Sequence, residues 1–393
     1  MMRVHKRRTS HPRSQRIALA AMIVLVSVTL AGCSVDGAPT QGAKSAAGSG
    51  NGVNIRPSKP FVPSDAVGEL PGRKGGVAAA MNVVNNEVFA STSRSMKQAA
   101  DAAKLPFTQT VADGDPAKSV DQLNSLLNND VGAVYVWDVD PAAQRPAVRK
   151  LMDGGAAVFT LSSGPSTMPM VGDQKEFGDN IGATVKKYIN EKLGGKAKVV
   201  MYNLDKLANI KPRFDGIRSA LASLPGVKIV SDVQWDTANP DSGFTTMSTI
   251  LQATPDVNVV IGPDTVVLSA YKAVKANGKD LNSMAFFGQD GEPEALSLIS
   301  EGGPYKATYA FNFAIVGYAA GVWGADWIAG KTIPSLTIIK PVLLDSADAI
   351  ARYQADYKDP ASAFSKRLDK YLQPLGGISF KTRMNFWNEN NPQ

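Results

Sequence analysis

The sequence predicts an α/β fold with two doubly wound parallel-sheet lobes joined by a hinge. From Lys74 onward, short runs rich in Val, Ile, Phe and Ala alternate with amphipathic segments, a pattern typical of buried parallel strands separated by helices. The runs form two sets, and strands that alternate with helices favour parallel sheets with right-handed crossovers. About 320 residues follow the leader and linker, which is enough for two separate cores.

Residues 1–32 are predicted to be an export signal. A basic stretch precedes an apolar run, Ile17 to Leu30, that ends in Leu30-Ala31-Gly32-Cys33. This order is typical of secretory signals, and the run is shorter than the roughly 20 residues of a membrane span. The last four residues resemble the lipobox of bacterial lipoproteins, which implies cleavage after Gly32 and a lipid on Cys33. An uncleaved anchor with a buried cysteine is the alternative.

The composition of the mature chain excludes several classes of function. The chain has 42 Lys and Arg against 35 Asp and Glu, but six of the basic residues and both histidines lie in the leader, which leaves a net charge of +1. That charge gives no basic face for nucleic acid. Without His, and with its one Cys acylated if the lipobox is used, the mature chain lacks the residues for histidine-ligated zinc, Ser-His-Asp or Cys-His catalysis and disulfides. Carboxylate-pair and lysine chemistry are not excluded.

A flexible linker is predicted before the strands. Residues 34–71 are mainly Gly, Ala, Ser, Pro and Asn, a composition typical of flexible spacers. The predicted strands are Gly76–Met81, Phe107–Val111, Gly132–Trp137, Ala157–Leu161, Lys198–Tyr202, Val227–Val233, Val257–Ile261, Met284–Phe287 and Tyr305–Phe311.

Helices are predicted between these strands. An acid before a proline marks three helix starts, and paired glycines mark two helix ends. These signals are Asp115-Pro116, Asp140-Pro141, Glu292-Pro293, Gly154-Gly155 and Gly194-Gly195.

The C-terminal part has a different pattern. Ile315–Gly330 is predicted to be an apolar helix, whereas Ala347–Tyr357 and Ala361–Leu372 are predicted to be polar surface helices. The end of the chain from Gly376 is predicted to be irregular, and its role is not indicated by the sequence.

The loops after the apolar runs hold the candidate ligand residues, because ligands of open parallel sheets bind beyond the carboxyl ends of the strands. Aromatic rings pack against the C–H faces of a sugar or polyol, while carboxylates and amides bond its hydroxyls with strong discrimination. The aromatic and short polar candidates in these loops are Asn86, Phe89, Trp137, Ser162, Ser163, Trp235, Asp264, Gln289, Asp290 and Phe311.

Structural roles are the alternatives for several candidates. They are helix capping for Asp140, Asp264 and Asp290, core or lobe-interface packing for Trp137, Trp235 and Phe311, and a solvated helix face for Lys211.

Seven motifs occur in an order that is specific to one family. They are Asn85-Asn86 with Phe89, Asp113-Gly114-Asp115-Pro116, Val158–Leu161, Gly172-Asp173-Gln174, Arg213-Phe214-Asp215-Gly216, Gln234-Trp235-Asp236 and Gly288-Gln289-Asp290-Gly291-Glu292-Pro293. With them, the chain from Lys74 to about Gly330 resembles the type I periplasmic sugar-binding proteins of ABC transporters, the ribose-binding group. The expected domains are the signal peptide 1–32, a lipid-anchored linker 33–72, the first lobe 73–171, the second lobe 172–310, a helix returning to the first lobe 311–330, and a crossing segment and tail 331–393.

The resemblance implies roles for individual residues. Asn86 and Phe89 correspond to the asparagine and the aromatic of the family's first ligand loop. Trp235 corresponds to an aromatic stacked on the sugar, and Asp290 to a hydroxyl-binding aspartate. Lys211 replaces an arginine that reaches the ligand.

Other positions depart from the family. Ser162-Ser163 replaces Asp-Arg, Trp137 replaces Asn, Pro263-Asp264 replaces an Asn-Asp pair, Gln289 replaces an aromatic and Phe311 replaces Gln. Aromatic surface thus takes the place of charged hydroxyl clamps. This predicts a ligand other than ribose in its usual pose, such as a deoxy sugar, a polyol or a larger glycoside.

The resemblance implies a monomeric, lipid-anchored extracytoplasmic binding protein that closes on a sugar or polyol and delivers it to an ABC transporter permease. No enzymatic activity, cofactor or metal is expected. Two alternatives remain from the sequence. One is a sensory binding protein that presents its ligand to a membrane receptor, and the other is an enzyme that acts on cell-wall sugars through a carboxylate pair such as Asp264 and Asp290.

Overall fold

The structure, a computed structural model, describes residues 58–83, 87–137, 139–161, 165–236, 239 and 241–383. The predicted signal peptide, Cys33 and the first part of the predicted linker lie outside the described residues. The same holds for three predicted ligand residues, Asn86, Ser162 and Ser163.

The described residues form strands β1 (Val77–Met81), β2 (Phe107–Val111), β3 (Ala133–Val136), β4 (Ala157–Thr160), β5 (Met168–Gly172), β6 (Ala197–Asn203), β7 (Val227–Gln234), β8 (Val259–Ile261), β9 (Ala285–Gln289), β10 (Tyr305–Ala310), β11 (Leu336–Ile339), β12 (Val342–Leu344) and β13 (Leu372–Leu375).

They also form helices α1 (Glu87–Ala102), α2 (Pro116–Asn128), α3 (Pro141–Asp153), α4 (Gln174–Lys192), α5 (Lys211–Ala222), α6 (Ser242–Ala253), α7 (Asp264–Ala276), α8 (Pro293–Ser300), α9 (Phe313–Ile328), α10 (Ala347–Lys358) and α11 (Pro360–Tyr371). No helix in this described part of the chain is both long and apolar enough to cross a membrane.

Two sheets define two lobes. The first sheet has the order β13-β11-β5-β4-β3-β1-β2, and the second has the order β12-β10-β9-β8-β6-β7. All pairings are parallel except β11 with β13 and β10 with β12, so one antiparallel strand closes one edge of each sheet. The predicted fold class, two parallel-sheet lobes with helices between the strands, is therefore confirmed.

The chain crosses between the sheets four times. The connections from β5 to α4, from β10 to α9 and from β11 to β12 join the lobes. The fourth crossing leaves β12 through α10 and α11 and ends in β13 of the first sheet. Residues beyond Leu344 therefore form part of the connection between the lobes.

Helix α9 is the centre of the first lobe's packing. Ten of its residues are buried, three of them glycines, and it packs along α1. The approach is close enough to require glycine, because a Cβ on Gly317 would lie 2.1 Å from the carbonyl oxygen of Thr92.

Two features of the predicted strands differ from the structure. The strands β2 and β7 were expected to be buried on both faces, but each lies at the edge of its sheet and exposes residues such as Thr108 and Lys228. In addition, β5, β11, β12 and β13 were not predicted. They are three to five residues long, and two of them pair antiparallel at sheet edges.

The ends of the chain body also differ from expectation. Helices α10 and α11 bury Ile350, Tyr353 and Tyr371, so they are not purely surface helices. Residues 58–72, predicted as the end of the linker, contact the first lobe, because Phe61 N donates to the Pro374 carbonyl at 3.0 Å and Gly68 N donates to the Gly330 carbonyl at 2.8 Å. The described part of the linker is thus held by backbone hydrogen bonds.

Candidate functional site

A row of aromatic rings joins the two lobes at the carboxyl ends of their strands. Phe89, in the first turn of α1, packs on Trp137, which follows β3, with ring centroids 4.3 Å apart. Trp137 packs on Phe313 at the start of α9 (5.7 Å). Phe313 meets Phe311 edge-on (6.0 Å), and Phe311 meets Phe177 of α4 edge-on (5.0 Å). We call these five residues the aromatic row.

The sequence identified part of this row. Phe89, Trp137 and Phe311 were predicted site residues, and all three are partly exposed. Phe177 and Phe313 were not predicted, although Phe313 lies two residues after Phe311 and next to Asn312. Phe177 is fully buried, so it contributes to the row by packing against Phe311 and not by an exposed surface of its own.

The second lobe places a buried arginine against the end of the row. The guanidinium carbon of Arg213 lies 4.1 Å from the centroid of the Phe177 ring. Its Nε and Nη2 donate to Gln174 Oε1 at 2.9 and 2.6 Å, and its Nη1 donates to Gln289 Oε1 at 2.8 Å. Burial lowers the pKa of Arg213 to about 10, and the nearby Asp290 charge opposes that shift.

Arg213 was missed by the sequence prediction, which chose Lys211 instead. Lys211 is half-exposed at the start of α5, and its Nζ donates to Asp215 Oδ2 at 2.5 Å. Two residues along a helix correspond to a rotation of about 200°, so the two cations lie on opposite faces. Arg213 shares the buried face with Phe214 and Ile217, and this spacing was visible in the sequence.

The two predicted aspartates have different surroundings. Asp264, the first residue of α7, is fully buried, whereas Asp290, after β9, is an exposed residue. Asp264 accepts hydrogen bonds from Tyr305 Oη (2.6 Å), Thr308 Oγ1 (2.9 Å), Gly291 N (2.7 Å) and Glu292 N (2.9 Å). Its oxygens are therefore occupied by the protein, in contrast to the expectation of a ligand contact.

The protein around the two aspartates raises both pKa values. Burial raises the pKa of Asp264 to about 8, and the hydrogen bond from Tyr305 opposes that rise. The surrounding protein also raises the pKa of Asp290, and the charge of Arg213 lowers it. Asp290 has a φ of +100°, a left-handed conformation that is uncommon for a residue with a Cβ.

Several buried polar atoms at the carboxyl ends of the strands have no hydrogen-bond partner among the described residues. In native proteins, most buried polar atoms have a hydrogen-bond partner from the protein or from ordered water, so each exception needs an explanation. They are Asn82 Oδ1 after β1, Thr110 Oγ1 in β2, Thr160 Oγ1 at the end of β4, Trp235 Nε1 after β7, Gln289 Nε2 at the end of β9 and Asn312 Nδ2 after β10. Trp235 and Gln289 were predicted as ligand residues, whereas Asn82, Thr110, Thr160 and Asn312 were not.

Comparison with known proteins places this chain among binding proteins. The profile of the periplasmic binding protein domain matches residues 77–332. The ribose import binding protein of Bacillus subtilis is 24% identical over 274 residues, which cover 69% of this chain and 87% of that protein.

Solved structures share the fold. An ABC transporter periplasmic solute binding protein of Actinobacillus succinogenes with bound D-allose has a TM-score of 0.62 and 21% identity, with 71% of this chain and 99% of that chain covered. The myo-inositol binding protein of Caulobacter with bound myo-inositol has a TM-score of 0.57 and 21% identity, with 74% and 97% covered. The relatives described here are named as binding proteins, and none is named as an enzyme.

Proposed function

The chain belongs to the family of the periplasmic binding protein domain, and from this premise we propose that it captures a sugar or polyol between its lobes and delivers it to an ABC transporter permease. The family resemblance inferred from the motifs is thereby confirmed, as is the expectation of a binding protein rather than an enzyme. The ligand class, the anchor and the delivery step belong to the proposal.

The observation that carries the proposal is a set of three N–H donors in the second lobe and hinge that have no partner among the described residues. Gln289 Oε1 already accepts from Arg213, and Asn312 Oδ1 accepts from Ile315 N at 3.3 Å. Their Nε2 and Nδ2 atoms must therefore be the free ends, and Trp235 Nε1 can only donate. All three require an acceptor atom from elsewhere.

A ligand oxygen supplies that acceptor. A buried donor without a partner costs about 1–3 kcal/mol. A ligand with several oxygens can bond these donors, whereas an apolar ligand would leave them without partners. The site therefore favours a ligand rich in oxygen. A hydroxyl accepts from such a donor and gives its own hydrogen to a carboxylate, and Asp290 is the next residue after Gln289. A polyhydroxylated molecule meets both requirements, and its C–H faces suit the partly exposed rings of the aromatic row.

The first lobe offers a second set of polar atoms. Asn82 Oδ1 and Thr160 Oγ1 lie at the ends of β1 and β4 without partners among the described residues. A ligand that contacts these atoms and the second lobe together stabilises the closed arrangement over the open one. Closure then follows from the difference in contacts between the two states.

The departures from the ribose-binding group bear on the ligand. With Trp137 in place of an asparagine and Ser162-Ser163 in place of Asp-Arg, the site provides more stacking surface and fewer charged hydroxyl partners. This supports a deoxy sugar, a polyol or a larger glycoside over ribose in its usual pose. Ribose-like affinity and selectivity would contradict this part of the proposal.

The membrane attachment is proposed from the sequence. A lipid on Cys33 keeps the mature chain at the outer face of the cell membrane. Tethering raises the local concentration of the loaded protein near a permease without any new contact. Loss of membrane association after Cys33→Ser, measured by fractionation, tests the anchor.

The function is tested by thermal unfolding of the mature chain with D-ribose, D-allose, myo-inositol, xylitol, a deoxy sugar and a disaccharide. A compound that binds only the folded state stabilises it by about 2.7 kcal/mol at a hundred times its dissociation constant. We expect one sugar or polyol to raise the melting temperature and to be recovered unchanged. No shift with any compound, for a protein shown to be folded, would contradict the proposed ligand class.

A further inference from the structure

Asp264 is bound to the loop that carries Asp290. The amides of Gly291 and Glu292, the two residues that follow Asp290, donate to Asp264 Oδ2 at 2.7 and 2.9 Å. The same oxygen accepts from Thr308 Oγ1 on β10 (2.9 Å), and Oδ1 accepts from Tyr305 Oη (2.6 Å). One carboxylate thus connects α7, the loop after β9, and β10.

The local backbone is shaped to allow this connection. A Cβ on Gly288 would lie 1.6 Å from Asp264 Oδ1 and 2.3 Å from Tyr305 Oη, so only glycine at that position leaves room for the carboxylate. Beyond it, Asp290 takes a φ of +100° and Gly291 a φ of +77°. A non-glycine residue persists in such a conformation only when its surroundings hold it.

Asp264 cannot itself serve the ligand. Its side chain is fully buried and its oxygens accept four hydrogen bonds from the protein, whereas Asp290 is an exposed residue at the same edge of the sheet. We propose that Asp264 is a positioning residue, which fixes the loop so that the Asp290 carboxylate points to the ligand. This inference rests on the proposed function, because Asp290 is the residue through which Asp264 acts.

The test compares the affinities of Asp264→Ala, Asp264→Asn, Asp290→Ala and the double Asp264→Ala/Asp290→Ala variant with that of the mature wild-type chain. The probes for calorimetry are D-ribose, D-allose, myo-inositol and xylitol. An asparagine keeps an oxygen for Gly291, Glu292 and Thr308 and turns its amide nitrogen to Tyr305 Oη. We therefore expect Asp264→Ala to weaken binding at least tenfold and Asp264→Asn to restore it to within threefold.

The double variant separates positioning from general destabilisation. When Asp264 acts through Asp290, adding Asp264→Ala to Asp290→Ala changes the affinity by less than threefold. The inference would be overturned if the losses of affinity in the two single variants multiplied in the double variant, or if Asp264→Ala bound with wild-type affinity. Asp101→Ala, on the exposed face of α1 where Asp101 pairs with Lys97, is the matched control and should bind like the wild type.

A measurement without ligand keeps the inference testable in two cases. In the first, Asp264→Ala does not fold, and in the second, the wild type binds none of the four probes. Thr308→Val keeps the side-chain shape and removes one donor to Asp264. It also removes an acceptor of Gly291 N, which lies 3.3 Å from Thr308 Oγ1, so Glu292, whose amide donates to Asp264 and not to Thr308, is the diagnostic amide. We expect hydrogen exchange at the Glu292 amide to be faster in Thr308→Val than in the wild type, with unchanged exchange in β1. Equal exchange of the Glu292 amide in the two proteins would overturn the positioning role. Failure of all four probes, with faster loop exchange, would instead count against the proposed ligand class alone.

Discussion

The guanidinium of Arg213 fixes the orientation of the Gln289 amide. Arg213 Nη1 donates to Gln289 Oε1 at 2.8 Å, and because a guanidinium has no acceptor, the amide oxygen must face it. Gln289 Nε2 then points away and is buried without a partner among the described residues. A buried cation thus determines that Gln289 presents a hydrogen-bond donor, and not an acceptor, at the end of β9.

This relationship gives the first prediction, for Gln289→Glu. The new carboxylate pairs with Arg213, which stabilises the fold, but it removes the only donor that Gln289 offers to the ligand. We expect a higher melting temperature together with at least a tenfold loss of affinity, or about 1.4 kcal/mol. Thermal unfolding and calorimetry with a sugar that binds the wild type measure the two effects.

Gln174→Glu is the matched control for that variant. Gln174 Oε1 accepts from the other side of the same guanidinium, so the substitution adds the same counter-charge while Gln289 Nε2 remains available. We expect stabilisation with little loss of affinity. Equal losses in the two variants would show that the charge of Arg213, rather than the donor on Gln289, matters for binding.

The second prediction concerns Trp235, which follows β7 and packs against the hydrophobic cores of the second lobe. Trp235→Ala removes both the ring and the Nε1 donor, and we expect the affinity to fall at least 30-fold, or about 2 kcal/mol, with the fold retained. Trp235→Phe keeps a ring without the donor and should fall between the alanine variant and the wild type. Unchanged affinity in Trp235→Ala, measured by calorimetry, would remove Trp235 from the site.

The sequence was sufficient for nine of the parallel strands because their signal is local. A run such as Val77–Met81 is buried throughout and reads as a strand by itself. The short strands β11, β12 and β13 have no such signal, since their pairing partners are distant in sequence. The exposure of β2 and β7 depends on their edge position, which local composition does not encode.

The candidate site was predicted less completely for a similar reason. The aromatic residues of the loops were found because ligands of open parallel sheets bind beyond the carboxyl ends of the strands, and these residues follow predicted strands directly. Arg213 was assigned to a helix motif and not to the site, although its spacing from Ile217 places it on the buried face of α5. The role of Asp264 depends on the loop at 290–292 folding back to it, a contact between residues 27 and 28 positions apart.

The third prediction is the dependence of stability on pH. Burial raises the pKa of Asp264 to about 8 in the folded chain, with Tyr305, Asp290 and Glu292 as its neighbours, whereas an unfolded Asp has a pKa of about 3.9. Between these values the folded chain holds a proton that the unfolded chain releases. Oδ1 can carry this proton and donate it to Tyr305 Oη, since a hydroxyl can also accept. The free energy of unfolding therefore falls as pH rises, by up to about 1.4 kcal/mol per pH unit.

Asp264→Asn tests this assignment because its side chain does not ionise. Denaturant unfolding at pH 5, 6, 7 and 8 should show a shallower decline for Asp264→Asn than for the wild type. A smaller decline should remain, since the pKa of Asp290 is also raised. Parallel declines in the two proteins would mean that Asp264 does not titrate in this range.

The last prediction concerns the C-terminal helices, which extend beyond the matched family region of residues 77–332. Helix α10 contacts α8 and β12 of the second lobe and α9 of the first. The hydroxyl of Tyr353, on α10, donates to the carbonyl of Phe311 at 3.1 Å, in the segment that crosses from β10 to α9. Tyr353 is buried, so removing its hydroxyl leaves the Phe311 carbonyl without this donor. We expect Tyr353→Phe to lower the free energy of unfolding by about 1 kcal/mol.

Tyr357→Phe is the control for that effect. Tyr357, one turn later on α10, donates to Glu87 Oε1 at 3.0 Å in an exposed setting where water replaces the lost bond. Its substitution should change the free energy of unfolding by less than about 0.5 kcal/mol. Denaturant titration of both variants measures the two changes in the free energy of unfolding. A larger loss in Tyr353→Phe would show that the C-terminal helices stabilise the crossing segment through this buried hydrogen bond. Equal losses in the two variants would contradict that role.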